Sequence, residues 1–163
     1  MSIDARLDRI LANKPTELAD ATAATHLLIH SATLLERHLE QALTPLNLQL
    51  REYLALYMLA DNEQESVSPT QLSEYLKATR TQVTRLLDSL EAKGLAMRIA
   101  DTADRRSLAL RLTDAGQQLL TEAIPLVEQA HLCAWSALGP ASTHAMQQQL
   151  HQLYTSFAQH GLK

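Results

Sequence analysis

Five side chains packed into six consecutive positions, Arg80, Thr81, Gln82, Thr84 and Arg85, are of the types that read nucleic acid. Arginine presents a donor fork to guanine, glutamine matches the donor and acceptor edge of adenine, and threonine serves phosphate or a thymine methyl. Each is ordinary on a protein surface, but their density at a helix start is more than solvation requires. Further along, Asp104, Arg105 and Arg106 give a polar stretch, 101–107, a positively charged tip.

Other chemistry finds little support. There are no paired carboxylates in a convincing frame and no Ser/His/Asp set, and four glycines leave little room for a nucleotide cradle. An enzyme is not expected, nor is a cofactor. The single cysteine, Cys133, excludes an internal disulfide and a Cys-rich zinc site. Beside Leu132, Ala134 and Trp135 it reads as a small buried hydrophobe, because a reactive thiolate needs cationic help. His26 and His30 share a helix face, yet no carboxylate or thiol nearby completes a metal site, so no metal is expected.

The net charge of −4 argues against a polyanion until its distribution is considered. Residues 77–111 hold eight basic groups (Lys77, Arg80, Arg85, Lys93, Arg98, Arg105, Arg106, Arg111) and four acidic ones, a local +4. The rest of the chain holds six basic and fourteen acidic residues, or −8. A basic segment in an acidic protein meets a polyanion in one orientation.

The elements that must position these residues are mostly helical, since Leu and Ala abound and only six aromatics are present. After Pro15 a long helix is expected over 16–43, with Leu27, Leu28, Ser31, Leu34, Leu35, His38, Leu39, Ala42 and Leu43 on one buried stripe. Thr44-Pro45 ends it. A second helix over about 49–60 turns Leu50, Tyr53, Leu54, Tyr57 and Met58 inward, and 61–66 is a loop. Ser68 caps a short helix over 69–76, with Pro69 at its first position. Thr79 opens the next, which buries Val83, Leu86, Leu87 and Leu90 and stops at Gly94. Two short helices so joined form a helix-turn-helix, whose second helix enters a major groove. Alternation over 95–99 and 108–112 predicts two strands, hence a hairpin wing. A long helix from Thr113 toward residue 137, bent at Pro125, and a last one over about 141–160 follow. No stretch is apolar enough for a membrane span, and the N-terminus has no signal-peptide core, so a cytoplasmic setting is expected.

The run LEAKGLAMRIADTADRRSLALRLTDAG at 90–116 resembles the winged-helix segment of the MarR family of bacterial transcriptional regulators. SPTQLSEYL at 68–76 and TRLLDSLEAKG at 84–94 fit that family's helix-turn-helix in order and spacing, and HLCAWSALGP at 131–140 looks nearest to the EmrR-type repressors of multidrug efflux. The resemblance implies a winged helix-turn-helix at 49–113 flanked by long N- and C-terminal dimerisation helices, 1–48 and 114–163. It implies a ligand-responsive homodimeric repressor on a pseudo-palindromic operator. The family's Asp-x-Arg wing motif falls on Asp104-Arg105-Arg106, with Arg106 in the minor groove and Asp104 bracing it. Small aromatic or lipophilic effectors are implied too, and His30, Tyr53, Tyr57, His131 and Trp135 are the candidates to line their cleft. Leu150, Leu153, Tyr154 and Phe157, with Leu7 and Ile10, are expected to meet a second copy. The competing readings are a winged helix kept for protein contact, which four arginines at the two tips argue against, and a redox-sensing regulator using Cys133.

Overall fold

The computed structural model describes residues 9–60, 67–100 and 108–159. The expected loop at 61–66, Leu7 and the wing tip with Asp104, Arg105 and Arg106 lie outside the described residues. Helix α1 (Thr16–Leu43) leads through a 3-10 turn (Thr44–Leu46) to α2 (Leu50–Ala60), α3 (Pro69–Tyr75) and α4 (Arg80–Ala92). Strands β1 (Ala96–Ala100) and β2 (Leu108–Leu112), then α5 (Asp114–Trp135) and α6 (Gly139–Gln159), complete the order. Mostly α with a small hairpin is therefore the observed fold class. Among the described residues no helix is long and apolar enough to cross a membrane.

The chain divides into two compact units, Met1–His38 and Leu39–Lys163. In the first, α1 is a regular helix in which Thr22, Thr25 and Thr33 return their hydroxyls to the carbonyls four residues back. The stripe expected to be buried is buried only at its far end, at Leu39 and Leu43, while Leu34 is 62 % exposed. Periodicity marks an apolar face; it does not say what covers it.

In the second unit the fully buried Leu43, Leu56, Leu72, Val83, Leu90 and Leu120 bring α1's last turn, α2, α3, α4 and α5 to one core. α2 packs on α5, α4 and β2 together. Its buried arc is consequently Glu52, Tyr53, Ala55, Leu56 and Leu59, which shares only Tyr53 with the expected set; Leu50, Leu54 and Met58 are half-buried and Tyr57 is 47 % exposed. The strands pair antiparallel with Ala96 opposite Leu112 and Arg98 opposite Leu110. A bridge from Val67 to Leu110 adds a third edge.

Local chemistry explains the joints. Ser68 and Gln71 exchange side-chain and backbone bonds in a capping box that opens α3, and Pro69 occupies the first turn. At the end of α4, Gly94 takes φ +68; its N–H reaches the Glu91 carbonyl and that of Leu95 reaches Leu90. That is a Schellman stop, which a side chain at this φ would strain. Thr113 then caps α5 through Gly116 N–H and ties its own hydroxyl to the Gly94 carbonyl at 2.6 Å. α5 runs unbroken through Pro125. Cys133 is exposed in this chain rather than buried, because α5's buried stripe ends at Ala130.

Candidate nucleic-acid interface

The turn between α3 and α4 is held by its own polar groups. Ser73 donates its hydroxyl to the Ala78 carbonyl at 2.6 Å, and Lys77 adopts φ 48 between the helices. Thr79 then starts α4 with a second capping box: its Oγ1 accepts from Gln82 N–H while its own N–H donates to Gln82 Oε1 at 2.8 Å. The Ser-x-x-Gln and Thr-x-x-Gln spacings at 68–71 and 79–82 are the sequence signal for both boxes.

From this start α4 buries Val83, Leu87 and Leu90 and exposes Arg80, Thr81, Gln82, Thr84 and Arg85. The helix thus brings all five sequence-predicted residues onto its outer surface. Their hydrogen-bonding capacity is uneven. Gln82 Oε1 is already engaged by Thr79, and the Thr84 hydroxyl turns back to the Arg80 carbonyl at 2.9 Å. A glutamine reading adenine needs both its oxygen and its amide nitrogen. Arg80 and Arg85 have no carboxylate partner among the described residues, and their guanidinium groups are open donors on this face.

Two other members of the basic segment face inward to protein partners. Lys93 Nζ lies 2.7 Å from Glu52 Oε2 and also donates to the Asn47 carbonyl. Glu52 is buried, and it accepts further bonds from Ser89 Oγ at 2.8 Å and Gln49 N–H at 3.0 Å. Burial pushes its carboxyl up, but the hydrogen bonds from Lys93, Gln49 and Ser89 and the Lys93 charge outweigh it, leaving the group below its ordinary value. Arg98 pairs with Asp88 at 2.7 Å and with Glu91. Neither Glu52 nor the Arg98 pairs were anticipated from sequence.

His131 and Trp135 line a groove of about 700 Å³ with Leu132, Pro140, His144 and Leu150, where α5 ends and α6 begins. Tyr53 and Tyr57 stand on α2 with ring centroids 6.0 Å apart. Burial raises the Tyr53 hydroxyl's pKa, and the neighbouring Tyr57, Glu128 and Tyr75 add to it. His30, in the first unit, stacks on His26 at 6.2 Å. No group of three or more metal-ligating side chains occurs among the described residues.

Comparison with known proteins agrees with this arrangement. The MarR family matches residues 46–107. The transcriptional repressor MprA of Escherichia coli (strain K12), also called EmrR, is 30 % identical over 124 residues, spanning 76 % of this chain and 70 % of MprA. Two solved structures are similar over about four fifths of this chain. BpsR of Bordetella bronchiseptica, whose DNA binding is regulated by 6-hydroxynicotinic acid, is 25 % identical with a TM-score of 0.73, over 80 % of this chain and 91 % of its own. CouR of Rhodococcus jostii RHA1, solved with p-coumaroyl-CoA, is 27 % identical with a TM-score of 0.68, over 78 % and 88 %.

Proposed function

The chain belongs to the MarR family of DNA-binding transcriptional regulators, and on that premise we propose that it is a repressor that grips a pseudo-palindromic operator as a homodimer and is released by a small aromatic or drug-like effector. It is a regulator, not an enzyme. The observation that carries the reading is the outer face of α4, where Arg80 and Arg85 stand open beside Thr81 and Thr84 on a helix capped at Thr79 and anchored by Val83, Leu87 and Leu90. Such a face enters a major groove, while Arg105 and Arg106, with Asp104 beside them, reach the neighbouring minor groove.

Two copies are needed on physical grounds. One DNA-binding module of this kind buries roughly 600–1,000 Å² of its own surface on DNA, too little for tight specific binding. α6 is a 21-residue helix without one buried side chain, and Phe157 on it is 65 % exposed. Helices of that length draw their stability from packing an apolar face, so a second copy is the natural cover. In this proposal residues 1–48 and 114–163 form the dimer layer and residues 49–113 the reading head.

That MprA is a transcriptional repressor supports repression, and 6-hydroxynicotinic acid for BpsR and p-coumaroyl-CoA for CouR support an aromatic effector. Of the five proposed effector contacts, His131 and Trp135 have the support of a shared groove. Selection of genomic fragments by the purified protein, followed by a salt series and light scattering, tests the reading. Two-fold symmetric sites, affinity that falls steeply with salt and a dimeric mass are expected. Asymmetric sites or a monomer that binds as one unit would overturn the dimer; salt-insensitive binding would point to the protein-contact reading. Release of the selected DNA by aromatic acids, lost in Trp135→Ala, tests the effector.

A further inference from the structure

Thr81, Thr84, Arg85 and Asp88 fall on one stripe of α4, because residues three, four and seven apart share a helix face. A carboxylate therefore stands on the face that carries the DNA-reading set, and the Asp88 side chain is 58 % exposed. Alone it would repel phosphate. It is answered by Arg98, whose Nη2 lies 2.7 Å from Asp88 Oδ1. The same guanidinium pairs through Nη1 with Glu91, and the Arg98 backbone N–H donates to Glu91 Oε1 at 3.0 Å. One residue of β1 thus makes three bonds to α4.

The opposite strand is gripped separately. Leu110, paired across from Arg98, is buried, and its N–H donates to the Val67 carbonyl at 2.9 Å. The hairpin is consequently held from both strands at the middle pair of its ladder. A strand rises about 3.3 Å per residue, so Arg98 sits roughly 7 Å before Ala100, where β1 ends. A small tilt at that grip becomes a larger displacement further out.

We propose that Arg98 is a positioning residue for DNA binding: it fixes the angle between α4 and the wing and cancels the Asp88 charge on the reading face, without itself touching phosphate. The proposal rests on the DNA-binding reading above. It separates cleanly from simple electrostatics, which says that removing an acid beside a polyanion tightens binding. The clamp says that losing Glu91 loosens it.

Full-length Arg98→Met and Glu91→Ala are compared with the parent on its own selected operator across a salt series. Arg98→Met is expected to weaken binding at least tenfold with the salt slope unchanged. Glu91→Ala weakens binding as well, although a negative charge has gone. Selection among operator variants then loses preference at the outer, wing-facing base pairs and keeps it at those under α4. A slope reduced by about one unit in Arg98→Met would reveal a phosphate contact, and tighter binding by Glu91→Ala would reveal charge alone; either overturns the proposal. Should Arg98→Met fail to fold, Glu91→Ala decides. A parent protein with no salt-dependent DNA affinity overturns the DNA-binding reading itself, a different result from either variant's.

Discussion

Glu52 and Lys93 meet at 2.7 Å, Oε2 to Nζ, joining the first turn of α2 to the residue that ends α4. The carboxylate also takes the Gln49 N–H, half of a capping box, and the Ser89 hydroxyl. Lys93 at a helix C-terminus is further favoured by the backbone dipole. α4 is therefore fastened at its far end by a buried acid.

Lys93→Met leaves that acid buried and short of its strongest donor. A loss of about 2–4 kcal/mol is expected in urea unfolding, below the figure for wholly buried pairs because Lys93 is partly exposed. The pH dependence has a definite sign. The folded carboxyl titrates below its ordinary 4.5, so its contribution is complete above that value and disappears as pH falls through the folded value. Glu52→Gln is expected to be less stable than the parent near neutrality and to show a shallower loss below about pH 4.5. Parallel acid-unfolding curves for the two proteins would remove Glu52 from this role.

Gln82 and Arg85 lie close together on α4, but different outcomes are expected. Gln82→Ala removes the side-chain half of the capping box, the bond that Gln82 Oε1 accepts from Thr79 N–H, and keeps the backbone N–H that Thr79 Oγ1 accepts, at a cost to folding stability of roughly 0.5–1.5 kcal/mol. Its base preferences should stay those of the parent, since the glutamine oxygen is already in use. Arg85→Ala should leave the melting temperature nearly alone and weaken operator binding by about 1–3 kcal/mol. If operator selection with Gln82→Ala shifts at an adenine, the glutamine leaves its cap on DNA and the assignment is reversed.

Gly116 is expected to tolerate no side chain. A Cβ built there would stand 2.0 Å from the Leu95 carbonyl oxygen, which is backbone and cannot swing aside. Gly116→Ala must push α5 away from the hairpin base, so a loss of at least about 2 kcal/mol is expected. Denaturant titration checks it: an unchanged midpoint would mean that the approach of α5 to Leu95 is looser than described.

What was legible in the sequence was whatever a few neighbouring residues decide. Ser68-Pro69, Thr79 and Gly94 punctuate the helix-turn-helix, and the helix starts and stops fall within a residue or two of where those signals put them. Burial depends on what packs where, and is less legible. The apolar stripe of α1 was visible as a stripe, yet only Leu39 and Leu43 are buried. Charge was hardest. Lys93 and Arg98 look the same in a count as Arg80 and Arg85, but Glu52 lies 41 residues before Lys93, and only the fold makes that partnership. Gln82 shows the limit for chemistry: its type suits adenine, while its oxygen holds a helix cap.

The C-terminal helix offers the decisive test of assembly. Nothing on α6 is buried within one chain, so removing it takes little from the core built on Leu43, Leu56, Leu72, Leu90 and Leu120. A chain ending at Leu138 is therefore expected to keep a folded winged helix, read as a cooperative melt with helical circular dichroism. The same cut removes Leu150, Leu153, Tyr154 and Phe157, three of which are large exposed apolar groups in the single chain. If those groups cover a second copy, the truncated protein sediments as a monomer. Its operator affinity then drops to that of one reading head, because two heads tied together bind the second half-site at high effective concentration. A loss of at least a hundredfold is expected from that arithmetic. A phenotype confined to affinity, with an intact melt, locates the dimer contact on α6. Tight binding by a truncated monomer would show that one winged helix suffices, and would detach the terminal helices from DNA recognition.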